Sequence, residues 1–227
     1  MNRGPLLFLG LFFTLASSWY GLVFAPQLQV GRQIEATAVG SGDTYPLMRP
    51  GLARQGAEVY RANGCVYCHS QQVRPTTADL ERWGKRRTVA ADYLFDDPVQ
   101  LGSQRIGPDL ANLATRPRGD DWQLQHLYAP RSVVEGSTMP PYRYLFERRR
   151  AAGTTSPDAL KLPEKFAPAA GWEVIPKPQA KQLVAYLNSL NAEVGLFEAP
   201  LPLAPTATNA LPAGTNAPAV GAERKHE

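Results

Sequence analysis

Cysteine is scarce in this sequence of 227 residues and occurs only at Cys65 and Cys68. A structural zinc site needs four ligands, and the two histidines outside this stretch, His126 and His226, lie far away in sequence and form no second pair. The three histidines of the chain also form no cluster that binds copper. Strong charge is absent too, because the net charge is only +4 and the basic residues are scattered. This distribution excludes a polybasic surface for nucleic acid.

Charged side chains are also missing from the segment between Gly4 and Gly31. Within it, Leu6 to Ala25 form a 20-residue apolar stretch, and about 20 apolar residues span the hydrocarbon core of a bilayer. The alternative is a cleaved signal peptide, but its apolar core has only about 7–15 residues. Pro26 directly follows the possible cleavage site and makes cleavage unfavourable. We therefore predict a transmembrane anchor over residues 1–26.

The rest of the chain divides by composition and hydrophobic period. Two segments have apolar residues at helical spacing, Gly51–Asn63 and Gln179–Leu190. The long stretch between them is rich in Pro, Gly and Asp, with a short possible helix at Asp120–Tyr128. The end of the chain has few large apolar residues and cannot bury enough surface to fold. We predict a linker over 27–50, one domain over 51–196 and a disordered tail over 197–227.

The two cysteines belong to the motif Cys65-Val66-Tyr67-Cys68-His69. This C-x-x-C-H pattern is typical of covalent haem c attachment. Two thiols three residues apart reach the two vinyl groups of one porphyrin, and the next residue, His69, then ligates the iron. A redox dithiol is the alternative, but such sites occur in a βαβ context that this sequence does not indicate.

A second axial ligand must come from elsewhere in the chain. Met139 stands in a loop before the second strong helix, and the two prolines that follow it fix the backbone. His126 is the next candidate, on the possible helix, while Met48 lies in the linker and His226 in the tail. We favour Met139. With imidazole and thioether ligands both axial positions are filled, and the reduction potential is higher than with two histidines.

Other residues are candidates for the surroundings of the haem. The carbonyl oxygen of Pro108 is placed to accept a hydrogen bond from His69 Nδ1, which fixes the ring. Arg74 and Arg105 are candidate partners of the haem propionates, with solvated surface as the alternative. Trp83 and Tyr93 are candidates for the cavity wall, with core packing as the alternative.

The order of helix, C-x-x-C-H, G-P-D-L, M-P and final helix resembles a class I cytochrome c domain. That resemblance implies an all-α fold in which the first and last helices cross closely, with Gly56 and Tyr60 on the first and Leu183, Tyr186 and Leu187 on the last. The segments "GCVYCHSQQVRP", "ERWG", "DYLFDDPVQLGSQRIGPDL" and "HLYAPRSVVEGSTMPPYRYLF" further resemble the membrane-anchored mono-haem subunit (FixO/CcoO type) of cbb-type cytochrome c oxidases. The similarity runs from the anchor to about Ala192; Thr76 and Thr77 depart from it.

The resemblance implies an electron-transfer role in a respiratory enzyme. It implies one covalent haem c held by Cys65 and Cys68, with His69 and Met139 as axial ligands. The implied donor is a di-haem cytochrome c subunit or a soluble cytochrome c, and the implied acceptor is the catalytic haem–copper subunit that reduces oxygen to water. No oxygen-reducing site is expected in this chain itself. The Ser70–Pro75 block is expected to face a partner subunit.

Haem c is attached outside the bacterial inner membrane, so the resemblance implies a periplasmic haem domain and a cytoplasmic N-terminus. Arg3 before the apolar stretch and Arg32 after it give only a weak preference for the same orientation. Two other functions stay open at this point. One is a membrane-anchored cytochrome c that shuttles electrons without a fixed partner, and the other is a periplasmic dithiol protein without haem.

Overall fold

The computed structural model describes residues 3–31 and 33–202. Arg32, His226 and all but the first residues of the predicted tail lie outside this range. The helices of the described chain are α1 (Gly4–Trp19), a π-helical turn (Tyr20–Phe24), α2 (Ala25–Val30), α3 (Gly51–Ala62), α4 (Thr77–Arg82), α5 (Asp120–Tyr128) and α6 (Pro178–Asn188). Short 3-10 turns lie at Cys65–Tyr67, Ala90–Tyr93, Leu113–Thr115, Pro130–Ser132, Arg143–Leu145 and Glu164–Phe166.

The N-terminal helical run is long and apolar enough to cross a membrane. It extends over Gly4–Gln29 with a mean hydropathy of 1.8, so it continues past the predicted end of the anchor. Pro5 lies in its first turn, where its missing N–H leaves no hydrogen bond unmade. None of its large apolar side chains up to Phe24 is buried against the described domain. Such uniform exposure is what a lipid-facing or partner-facing helix presents.

Helices α3 and α6 cross at close contact, as the resemblance implied. A Cβ atom on Gly56 would overlap the carbonyl oxygen of Gln182 and lie 2.7 Å from the Tyr186 Cβ. Beside this point, the rings of Tyr60 and Tyr186 meet with centroids 5.3 Å apart. Both tyrosines are almost fully buried. The largest apolar cluster surrounds this crossing and includes Cys65, Leu113, Leu127, Leu145, Val174, Leu183 and Leu187.

The segment predicted as a linker packs on the domain. Strands β1 (Ala36–Thr37) and β2 (Thr44–Tyr45) pair antiparallel. The buried Tyr45 hydroxyl donates a hydrogen bond to Asp92 Oδ1 at 2.9 Å, and Val39 N–H donates to the Gly195 carbonyl at 2.8 Å. A second buried cluster joins Tyr45 to Leu196 and Ala199. Residues on both sides of the predicted domain therefore belong to its packed structure.

The regular structure is mostly helical, but the all-α prediction is incomplete. Strands β3 (Phe146–Arg150) and β4 (Trp172–Pro176) form a second antiparallel pair, with Arg148 opposite Val174. The arginine run gave no apolar alternation from which to predict a strand. It is stabilised by contacts across the pair, because Arg149 binds the buried Glu173 at 2.8 Å and Arg148 and Arg150 lie over the Trp172 ring.

The close helix crossing gives a stability prediction. Replacing Gly56 by Ala forces α3 and α6 apart, and overpacking of this kind costs about 1–3 kcal/mol. We expect Gly56→Ala to lower the thermal unfolding midpoint, measured by circular dichroism on the detergent-solubilised protein. Gly51→Ala is the matched control, because it lies in the same helix and no atom lies within 4 Å of its added Cβ. Equal midpoints for the two variants would contradict the crossing.

Candidate haem site

The two thiols lie at the C-terminal end of α3. After the helix, the 3-10 turn Cys65–Tyr67 folds the backbone back, and the N–H groups of Cys68 and His69 donate to the Cys65 carbonyl at 3.1 and 3.0 Å. Cys65 is buried and Cys68 half-buried, and both are free thiols. Burial raises the pKa of the Cys65 thiol to about 11. The turn therefore holds two thiols and one imidazole next to each other.

The His69 ring is fixed on one side by the Gly107–Pro108 segment. Its Nδ1 donates to the Pro108 carbonyl at 2.8 Å, and a Cβ on Gly107 would lie 2.7 Å from Nδ1 and 2.8 Å from Nε2. The Gly107 N–H in turn donates to the Cys68 carbonyl at 2.9 Å. Because Nδ1 carries the proton, the lone pair of Nε2 is free for a metal. Burial also lowers the pKa of His69, which keeps the ring neutral.

Met139 reaches the same cavities as the cysteine turn. Two adjoining cavities of about 540 Å³ and about 1030 Å³, open at their mouths, are both lined by Cys65, His69, Pro108 and Met139, and the larger one also by Cys68. The loop that carries Met139 is tied to α5 just beyond it, where Tyr142 N–H donates to the Leu127 carbonyl at 2.8 Å. Two thiols, one imidazole and one thioether thus converge from segments distant in sequence.

The family model described as "Cytochrome C oxidase, mono-heme subunit/FixO" matches residues 4–168, which is more than half of the chain. The chain belongs to the FixO family. As a FixO chain it is a mono-haem subunit of a cytochrome c oxidase, and any catalytic role belongs to the partner subunit. A search of the curated proteins finds no match.

The other candidate axial ligands of this FixO chain differ in whether they line the haem-site cavities. Met48 is 73% exposed and lines a different cavity. His226 lies outside the described residues. His126 lines both haem-site cavities together with His69 and Met139. Among the described candidates, therefore, only Met139 and His126 reach the site.

His126 is held in the cavity wall by stacking. Its ring lies parallel to that of Trp122, with centroids 4.8 Å apart at 14°, and the Arg118 guanidinium lies 4.0 Å from the Trp122 centroid. The buried Nδ1 of His126 has no hydrogen-bond partner. Burial, with smaller contributions from the nearby His69 and Arg118, lowers the pKa of His126 to about 4. The ring is neutral near pH 7.

The arginine side chains that line the haem-site cavities are not the predicted Arg74 and Arg105. Arg105 binds Asp79 through both terminal nitrogens and also contacts Ser70 and Asp109, so its guanidinium is used inside the protein. Arg74 is exposed and only its backbone N–H has a partner, Asp79. Neither residue lines the haem-site cavities, whereas Arg116 and Arg118 do.

Trp83 and Tyr93 also lie away from these cavities. The Trp83 ring is covered by the guanidinium groups of Arg82 and Arg116, and the Tyr93 hydroxyl donates to the Gln71 carbonyl at 2.7 Å. Sequence reasoning missed Arg116, Arg118 and Trp122. The only available signal was their position in the segment between G-P-D-L and M-P.

Half of the Ser70–Pro75 block, which is expected to face a partner subunit, is internal. Ser70, Gln71 and Val73 are each no more than 3% exposed. Gln71 Oε1 accepts from the Tyr186 hydroxyl at 3.0 Å, and Gln71 N–H donates to the Leu101 carbonyl at 2.8 Å. The block therefore stabilises the domain around the haem site, and only its Gln72, Arg74 and Pro75 are exposed.

The contact between Gly107 and His69 predicts that a larger residue at position 107 weakens His69 as an iron ligand. In Gly107→Ala the new methyl group displaces the His69 ring and weakens its bond to Pro108. Losing such support costs about 10–100-fold in metal affinity or activity, so we expect a smaller low-spin fraction in the visible haem spectrum of the purified protein. Gly136→Ala is the control, because Gly136 lines the larger cavity but no atom lies within 4 Å of its added Cβ. An unchanged spectrum in Gly107→Ala would argue against this support.

Proposed function

We propose that this FixO chain relays single electrons within a cbb-type cytochrome c oxidase through one covalently attached haem c. Cys65 and Cys68 attach the porphyrin, and His69 and Met139 are the axial ligands. The observation that carries this proposal is that both thiols, the imidazole and the thioether line a common cavity in a chain whose family is mono-haem. A haem with these two ligands exchanges one electron at a time and has no open position for oxygen.

The residues around the site have distinct tasks in this proposal. Pro108 and Gly107 orient the His69 ring so that Nε2 faces the iron. Leu113, Leu127 and Leu187 supply apolar wall, which excludes water and favours a higher potential. Arg116 and Arg118 place positive charge at the cavity, where carboxylate groups of the porphyrin are favourable partners. Burial also lowers the pKa of Arg116, as expected for a cation that lacks a full counter-charge.

The electron path runs between two partners. We propose that the donor is a di-haem cytochrome c subunit or a soluble cytochrome c, and that the acceptor is the catalytic haem–copper subunit, which reduces oxygen to water. The apolar run Gly4–Gln29 anchors the chain in the bacterial inner membrane as a single span. The N-terminus is cytoplasmic and the haem domain periplasmic, because haem c is assembled on that side.

Gentle purification tests the oxidase assignment. We expect the tagged chain, extracted in mild detergent, to co-purify with haem b and copper, and its own band to stain for haem after denaturing electrophoresis, because the linkage is covalent. A stained chain that emerges alone would favour the membrane-anchored shuttle. An unstained band would end the haem proposal and favour the dithiol protein.

Removal of the proposed thioether tests the axial ligand. In Met139→Ala the haem remains attached through Cys65 and Cys68, but the sulfur-to-iron charge-transfer band near the red end of the visible spectrum disappears. Met48→Ala is the matched control, because Met48 lies in another cavity, and it keeps the band. A band that persists in Met139→Ala would move the assignment to another residue.

A further inference from the structure

One imidazole at the haem site has no task in the proposed function. His126 lines both cavities with His69 and Met139, yet it forms no salt bridge with an acidic side chain of the described chain. Its buried Nδ1 has no hydrogen-bond partner. Leaving a buried polar atom without a hydrogen-bond partner destabilises the fold, so a histidine with a purely structural role would be expected to have one.

The position of this ring is fixed by its neighbours. Arg118, Trp122 and His126 are four residues apart in sequence and stack consecutively, with 4.0 Å from guanidinium to indole and 4.8 Å from indole to imidazole. Trp122 and His126 share one face of α5, and Arg118 precedes the helix. Trp122 therefore holds the His126 ring against the cavity and limits its rotation.

The His126 ring also lies near the first axial ligand. The rings of His69 and His126 line the same two cavities. A neutral imidazole is a good ligand for haem iron, whereas a protonated one is not. His126, the second candidate from the sequence, thus satisfies the chemical conditions for ligation in the cavity that Met139 also lines.

We propose that His126 is a reserve axial ligand, so that the centre has two ligation states, His69/Met139 and His69/His126. This inference rests on the proposed haem site. In the first state the thioether is bound and the ring stays against Trp122. In the second state the Met139 thioether would be unbound and His126 would supply the imidazole ligand in its place. Both states are low-spin and both exclude external ligands.

The two states differ in reduction potential. Thioether ligation raises the potential relative to two imidazoles, so exchange of Met139 for His126 lowers it. A centre in the second state holds its electron less strongly and becomes a poor acceptor from a donor matched to the first state. Ligand exchange therefore switches electron flow without opening the iron to oxygen or carbon monoxide.

Spectra of ligand variants at pH 7 test the reserve ligand. We expect Met139→Ala to lose the charge-transfer band but remain low-spin, to bind no carbon monoxide and to have a lower midpoint potential than the parent protein. Met139→Ala/His126→Ala becomes high-spin and binds carbon monoxide. Met139→Ala/His226→Ala is the matched control, since His226 is the one remaining histidine of the sequence, and it stays low-spin like the single variant.

Two outcomes overturn the inference. One is a high-spin, carbon monoxide-binding Met139→Ala, and the other is a Met139→Ala/His126→Ala variant that stays low-spin. Both differ from failure of the proposed function, which appears as an unstained band on denaturing gels or as a charge-transfer band that survives in Met139→Ala. His126→Ala alone checks folding, because it keeps Met139 and is expected to retain the charge-transfer band.

Discussion

The haem site depends on one buried carboxylate, that of Asp109. It is fully buried, and a buried charge is costly unless it is paired and hydrogen-bonded. Its oxygens accept from Ser70 Oγ at 2.5 Å, Gln72 N–H at 2.8 Å and Ala111 N–H at 2.9 Å, and Arg105 adds a positive charge at 3.5 Å. These bonds join the segment after His69 to the segment after Pro108. Together with the backbone bonds from Gly107 N–H to the Cys68 carbonyl and from Leu110 N–H to the Ser70 carbonyl, Asp109 holds the two segments together and so supports the contact between His69 and Pro108.

Some features followed directly from sequence because their causes are local. Helices α3 and α6 have apolar residues at helical spacing, and both were predicted to within a few residues of their bounds. The resemblance placed Gly56 at their crossing, where an added Cβ atom would overlap the carbonyl oxygen of Gln182. The C-x-x-C-H spacing indicated a haem motif on chemical grounds, and the family match supports one haem.

Other features were hidden because they depend on partners far away in sequence. Arg105 was a candidate partner of the haem propionates, but its partners Asp79 and Ser70 come near it only in the folded chain. Arg116 and Arg118 looked like ordinary loop residues for the same reason. The Ser70–Pro75 block was read as an outer surface, since sequence pattern alone does not separate a specific internal network from a specific interface. Strand β3 was missed because its stabilising residues, Trp172 and Glu173, lie on β4.

Packing of the segment after the anchor limits how far the domain can travel from the membrane. Tyr45 and Arg86 both bind Asp92 in the interior, and Arg49 pairs with Asp96. Only the five residues 31–35 separate α2 from β1, a span of at most about 20 Å even when fully extended. A tether this short keeps the domain close to the bilayer surface. The local concentration of the domain there is therefore high. In the proposed electron relay, diffusion over long distances is then left to the donor.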